Sequence, residues 1–246
     1  GHAAPVVAAH AARTVDNSAA YLAAHLRPGM RVLDVGCGPG SITLDLARRV
    51  APGEVVGIDA SASVIASARA AAEAAGDSRT RFETADATRL PFDDDTFDVV
   101  HAHQVLQHVP DPVGMLREMA RVTRPGGLVA ARDADYDAMT WAPAHPGLDR
   151  WLELYREAAR GTGGEPDAGR HLLGWAHAAG LTGVTASASV WCFADDAARE
   201  WWGGQWQRRA VESGFHDQVV GQGLADAAEI AQVVDGWREW TDSPDG

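Results

Sequence analysis

Residues Arg31–Val50, RVLDVGCGPGSITLDLARRV, decide how the rest of the chain is read. Val32, Leu33 and Val35 form a short apolar run between Gly29 and Gly36. Such a run suits a central parallel strand, which is buried on both faces and need not alternate. Gly36, Gly38 and Gly40 follow, and Ile42, Leu46 and Val50 then recur every fourth residue, as on one helical face. Glycine tolerates positive φ and has no Cβ, so a ligand can come close to the backbone. The helix behind it offers free N–H groups at its start. The stretch reads as strand, ligand-holding loop and helix.

Other features narrow the ligand class. The dinucleotide fingerprint G-x-G-x-x-G fails at its last position, where Ser41 stands. All 21 basic residues are arginine, so a P-loop lysine and a pyridoxal Schiff base are both excluded. A net charge of −13 argues against nucleic-acid and anionic-membrane partners, and Arg48-Arg49 and Arg208-Arg209 are the only adjacent basic pairs. Cys37 and Cys192 provide neither a disulfide framework nor zinc spacing. No apolar run approaches the roughly 20 residues that span a bilayer. No basic-plus-apolar leader pattern opens the sequence, so the expected location is cytoplasmic.

Outward from the loop, residues 1–28 are alanine-rich and helix-prone, with Tyr21, Leu22 and Leu26 on one face. Pro52-Gly53 turns the chain into a second strand, Glu54–Ile58, which ends in Asp59. A carboxylate about 20 residues past a glycine loop is placed to hold a ribose hydroxyl pair, whichever nucleoside is bound. Ser61 is the natural cap of the next helix, 63–75. Arg81–Thr84 reads as a third strand leading to Asp86, Phe97–Val100 as a fourth, and Leu128–Ala131 as a fifth after Arg124-Pro-Gly-Gly127. Asp93-Asp94-Asp95 lacks calcium-loop spacing, and His101, His103 and His108 lack a fourth zinc ligand, so no metal site is expected. Farther on, Val184, Ala186, Ala188, Val190 and Cys192 alternate with Thr185, Ser187, Ser189 and Trp191, predicting a strand at the sheet margin.

The set Leu33–Gly40, Asp59, Asp86 with Leu90-Pro91-Phe92, Phe97-Asp98 and Arg124–Gly127 resembles the class I S-adenosylmethionine (AdoMet)-dependent methyltransferases. The likeness is to the quinone-biosynthesis and secondary-metabolite branch. It covers about 100 consecutive positions and thins after residue 133. It implies an α/β, doubly wound, Rossmann-like, mostly parallel sheet in a single domain. In that domain 1–28 is a helical cap, 30–135 the cofactor core and 136–246 substrate-side helices with the marginal strand. The family usually carries a seventh strand; no run after residue 193 supplies one.

The resemblance also implies AdoMet as cofactor and S-adenosylhomocysteine as product. Gly36, Cys37 and Gly38 would face the methionine part, and Asp34 would bind the cofactor with them. Asp59 and Ala60 would meet the ribose and Asp86 and Ala87 the adenine. His103 and Gln104 would border the methionine end, and Tyr21 would come from the N-terminal helix. Candidate bases for an acceptor hydroxyl are His103 and His108, with Asp133 and Asp135 behind them. The nine tryptophans all lie at or beyond position 141, and Trp141, Trp201 and Trp202 are the candidates for an apolar or aromatic small-molecule acceptor site. A non-catalytic AdoMet-binding protein and, more remotely, a nicotinamide-dependent oxidoreductase remain as alternatives.

Overall fold

The computed structural model describes residues 13–246, so the opening of the expected 1–28 cap lies outside the described residues. Contacts divide the described chain into two compact units, one of 13–134 and 168–188 and the other of 135–167 and 189–246. The expected boundary at 135/136 lies beside the first division, and residues 168–188 return to the first unit.

Two short helices, α1 (Val15–Ser18) and α2 (Ala20–Ala23), precede the sheet of the first unit. Strand and helix then alternate as β1 (Val32–Val35), α3 (Ser41–Val50), β2 (Val55–Asp59), α4 (Ala62–Ala74), β3 (Arg81–Thr84), β4 (Phe97–His103), α5 (Pro112–Val122) and β5 (Thr123–Arg132). The strands are all parallel, in the order β3-β2-β1-β4-β5. β1 is central and all four of its residues are buried. Its side chains alternate between two layers. Val32 packs with Ile42, Leu46 and Val50 of α3, while Leu33 and Val35 pack with Met115, Leu116 and Met119 of α5. Each such aliphatic side chain contributes about 1.5–3 kcal/mol on full burial. The caps follow local chemistry: Ser61 Oγ accepts the Val64 N–H at 3.4 Å, and Asp111 Oδ1 accepts the Gly114 N–H at 2.8 Å. Helix α7 (Ala168–Ala178) completes this unit, its Leu172 and Trp175 packed against the layer around α5.

The expected marginal strand Val184–Cys192 is a correction. Among the described residues it forms no ladder, and nearly all of it is exposed, Val190 at 88%. Alternation records which side chains are apolar, but a strand also needs an edge to accept its N–H and C=O groups. Here small Thr, Ser and Ala side chains bury too little to hold the run against one.

The second unit is helical: α6 (Pro146–Gly161), α8 (Asp196–Glu212), α9 (Gly214–Gly221) and α10 (Ala227–Asp242). Its centre is aromatic. Trp151 and Trp206 are fully buried and meet edge-to-face with centroids 4.5 Å apart, and Trp237 meets Trp151 at 4.8 Å. Among the described residues no helix is long and apolar enough to cross a membrane.

Candidate active site

The strand order switches sides between β1 and β4, and the crevice there, at the carboxyl ends of the parallel strands, is where such sheets bind ligands. The glycine loop fills that position. Gly36, Gly38 and Gly40 all have positive φ, and a Cβ on Gly36 would collide with Val105 Cγ2. The Cys37 N–H bonds to the Ile58 carbonyl at 2.8 Å, which ties the loop to β2. The Gly38 N–H donates to Asp59 Oδ2 at 3.2 Å, and the Ser61 N–H donates to Oδ1 at 2.9 Å. Each carboxylate oxygen accepts about two hydrogen bonds, so Asp59 keeps acceptor capacity for further donors. Burial, then Asp34 and Asp59, push the Cys37 thiol up, which removes it as a nucleophile at neutral pH.

Asp34 lies beneath the loop. It is 3% exposed, with Oδ2 accepting from the Thr43 hydroxyl at 2.6 Å and Oδ1 2.7 Å from His101 Nδ1. Register makes this pair, since Asp34 and His101 are direct partners across β1 and β4. The geometry places a proton on His101 Nδ1, facing the carboxylate. Asp34 therefore holds β1, β4 and the first turn of α3 together, with both carboxylate oxygens engaged. Sequence reading missed both partners; the two-residue spacing of His101 and His103 was visible, but their register against β1 was not.

At the end of β4, His103 is buried and its ring lies parallel to that of His101, centroids 6.5 Å apart. Gln104 has a φ of +55°, uncommon for a residue with a side chain, and its N–H bonds to the Arg132 carbonyl at 2.7 Å. Asp133 follows β5. Its Oδ1 accepts the Gln107 N–H at 3.1 Å, while Oδ2 is buried with no hydrogen-bond partner among the described residues. Burial pushes this carboxyl up to about 7, against the Gln107, Leu106 and Val105 backbone bonds and Arg132. Part of the residue remains accessible, so it is the oxygen itself that lies in the interior. Burial likewise pushes the Tyr21 phenol up, and Arg132, Asp133 and Asp34 all act on it. His108 stands exposed on a 3₁₀ turn, with its Nε2 3.0 Å from Gln107 Nε2.

Asp86 is exposed just beyond β3. Its Oδ1 accepts from the Thr88 N–H at 2.8 Å and the Thr88 hydroxyl at 2.7 Å, and these bonds lower its pKa. Ala85 donates its N–H to the Asp59 carbonyl at 3.1 Å, so the two acidic strand ends are linked through the backbone. Ala60 and Ala87 flank them as small residues.

A glycine loop over β1, with one carboxylate at the end of β2 and another beyond β3, recurs in a known family, and residues 26–179 match the methyltransferase domain. The chain belongs to the class I AdoMet-dependent methyltransferases. This methyltransferase is 34% identical to an uncharacterized methyltransferase of Schizosaccharomyces pombe, over 96% of its own length and 87% of that protein. It is 40% identical to the 27-O-demethylrifamycin SV methyltransferase of Amycolatopsis mediterranei, over 55% of its own length and 48% of that protein. Among solved structures, the [4+2]-cyclase SpnF covers 97% of the methyltransferase, which spans 75% of that chain, with 26% identity and a TM-score of 0.52. AdoMet is the cofactor of the methyltransferase, and the strand-end groups fit it. Carboxylates beyond two adjacent strands match the ribose hydroxyls and the adenine amino group, all hydrogen-bond donors.

The acceptor candidates belong to the second unit. Trp141 is half-buried, its ring 6.3 Å from that of Trp151. Trp202 stacks on Phe193 at 4.5 Å with an interplanar angle of 6°, and Trp201 is 38% exposed. All three border the tryptophan core rather than lying in it.

Proposed function

We propose that this methyltransferase acts on a small apolar acceptor, aromatic or polyketide-like, at a hydroxyl or a nucleophilic carbon. AdoMet supplies a methyl group on a sulfonium, already activated, so the chain's contribution is alignment and exclusion of water. Gly36 to Gly38 hold the methionine part, Asp59 the ribose and Asp86 the adenine. Asp34 keeps the loop in place from below, and Tyr21, His103 and Gln104 border the methionine end. Where the acceptor is a hydroxyl, His103 or His108 takes its proton. The observation that carries the acceptor class is the group Trp141, Trp201 and Trp202, rings left partly accessible at the margin of an aromatic core. A net charge of −13 without lysine favours this reading over a nucleic-acid or membrane substrate. The relative that methylates a demethylrifamycin supports it by analogy.

Single Trp141→Ala, Trp201→Ala and Trp202→Ala variants test it, with S-adenosylhomocysteine release measured over a panel of phenols and polyketide alcohols. At least one variant should raise acceptor KM while AdoMet affinity and melting temperature stay near wild type. Three variants that merely unfold would place these rings in the core and remove the proposal. A second reading, in which the chain closes a ring in its substrate instead of transferring a methyl group, rests on the likeness to the [4+2]-cyclase SpnF along nearly the whole chain. Substrate conversion without S-adenosylhomocysteine release would select it.

A further inference from the structure

The turn that begins at Asp86 is pinned from outside the cofactor site. Arg121, in the last turn of α5, uses all five of its N–H groups. Nε and Nη2 donate to the two oxygens of Glu118, each at 2.9 Å. Nη1 donates to the Phe92 carbonyl and to Asp94 Oδ1, both at 2.8 Å, and Nη2 donates to the Leu90 carbonyl at 3.0 Å. Glu118 Oε2 in turn accepts the Leu90 N–H at 3.0 Å. Both backbone groups of Leu90 are thus held by one ion pair. The Leu90 side chain is 3% exposed in the layer around α5, and Phe92 meets Phe97 edge-to-face at 5.1 Å.

Between this pin and β3 lies a closed turn. The Arg89 N–H bonds to the Asp86 carbonyl at 3.2 Å, and Thr88 bonds back to the Asp86 side chain. Asp86 is therefore fixed from two sides, by the Ala85 bond to β2 behind it and by Leu90 ahead of it. It is itself exposed. A four-residue turn transmits a displacement at its end directly to its first residue.

We propose that the Glu118–Arg121 pair is a positioning element for the adenine end of the cofactor, setting where the Asp86 carboxylate stands. This rests on the reading of Asp86 as acceptor for the adenine amino group. Neither residue touches the cofactor; they act through the backbone of residues 86–92. A bidentate arginine with every donor engaged is the group for this task, because lysine offers a point charge and cannot reproduce the fork.

The test is calorimetric titration of S-adenosylhomocysteine and of its 6-oxo analogue, S-inosylhomocysteine, which lacks the adenine amino group. The proteins are wild type, Arg121→Met, Arg121→Lys, Asp86→Asn and the double variant Asp86→Asn/Arg121→Met. Arg121→Met should weaken S-adenosylhomocysteine by about tenfold, the scale of a disturbed bond to a charged group, and leave the 6-oxo analogue near its wild-type affinity. Arg121→Lys should fall between. In the Asp86→Asn background the Arg121 effect should vanish. A lower melting temperature with unchanged affinity, or equal losses for both ligands, would make the pair a plain staple and overturn the proposal. If Asp86→Asn alone left S-adenosylhomocysteine affinity unchanged, the reading of Asp86 would fail and the positioning role with it. Should Arg121→Met not fold, Glu118→Gln, which keeps an acceptor for the Leu90 N–H, carries the same comparison.

Discussion

Asp34, Asp59 and Asp86 illustrate how differently three carboxylates in one motif set are used. Asp59 and Asp86 stand at strand ends with acceptor capacity to spare, whereas Asp34 is occupied by Thr43 and His101. Asp59→Ala should weaken AdoMet by about 1–3 kcal/mol in calorimetry with little change in melting temperature. Asp34→Ala should show the opposite pattern, lowering stability because it leaves the Thr43 hydroxyl and His101 without their buried acceptor. Equal effects on affinity in both variants would contradict this division. Asp133 makes a prediction in pH. Its carboxyl ionises at 3.8 when free and is pushed up to about 7 by burial, so over that interval the folded chain holds a proton that the unfolded chain has lost. Its stabilising contribution is complete below the lower value and is lost as pH rises through the upper one. Asp133→Asn, which keeps an oxygen for the Gln107 N–H, should flatten denaturant stability between about pH 4 and 7 and raise it at pH 8. An unchanged slope would show that the carboxyl does not titrate there. The acidic residues were legible in sequence because spacing from the glycine loop marks them; the partners of Asp34 were not, since they arrive across the sheet.

Among elements, the loop from Gly36 to Gly40 and the segment after β4 form one packed unit. Gly36 is constrained twice, by a φ of +69° and by Val105 where a Cβ would go. Gly36→Ala should cost about 2–4 kcal/mol, from the left-handed backbone and from overpacking. Adding Val105→Ala should restore only the packing part, as urea unfolding of the single and double variants would reveal; complete rescue would mean that the backbone carries no strain. The β/α alternation through β5 was readable because β1, β2 and β4 carry short apolar runs and the helices between strands repeat at their own period. The Val184–Cys192 run misled because strand formation depends on a partner edge, which lies outside the run itself.

For the molecule as a whole, the division of labour among the nine tryptophans is the testable point. Trp206, fully buried among Trp151, Trp237 and Tyr155, should cost about 3–5 kcal/mol on change to alanine. Trp141 and Trp202 should cost less, and thermal melts of the three variants compare them directly; equal losses would return all of them to the core. The absence of any tryptophan before residue 141 already set the cofactor core apart, although Trp175 returns to pack in the first unit. Sequence alone determined the parallel sheet, its glycine loop, the acidic strand ends and the AdoMet family, because these rest on local periodicity and on spacing along one strand-loop-helix series. Tertiary structure alone decided which tryptophans are core and that Asp34 is a buried anchor. It also decided that Glu118 and Arg121 hold the Asp86 turn from a helix about 30 residues away in the chain. Each of these depends on the register and packing of elements distant in sequence, and no local pattern encodes where such elements meet.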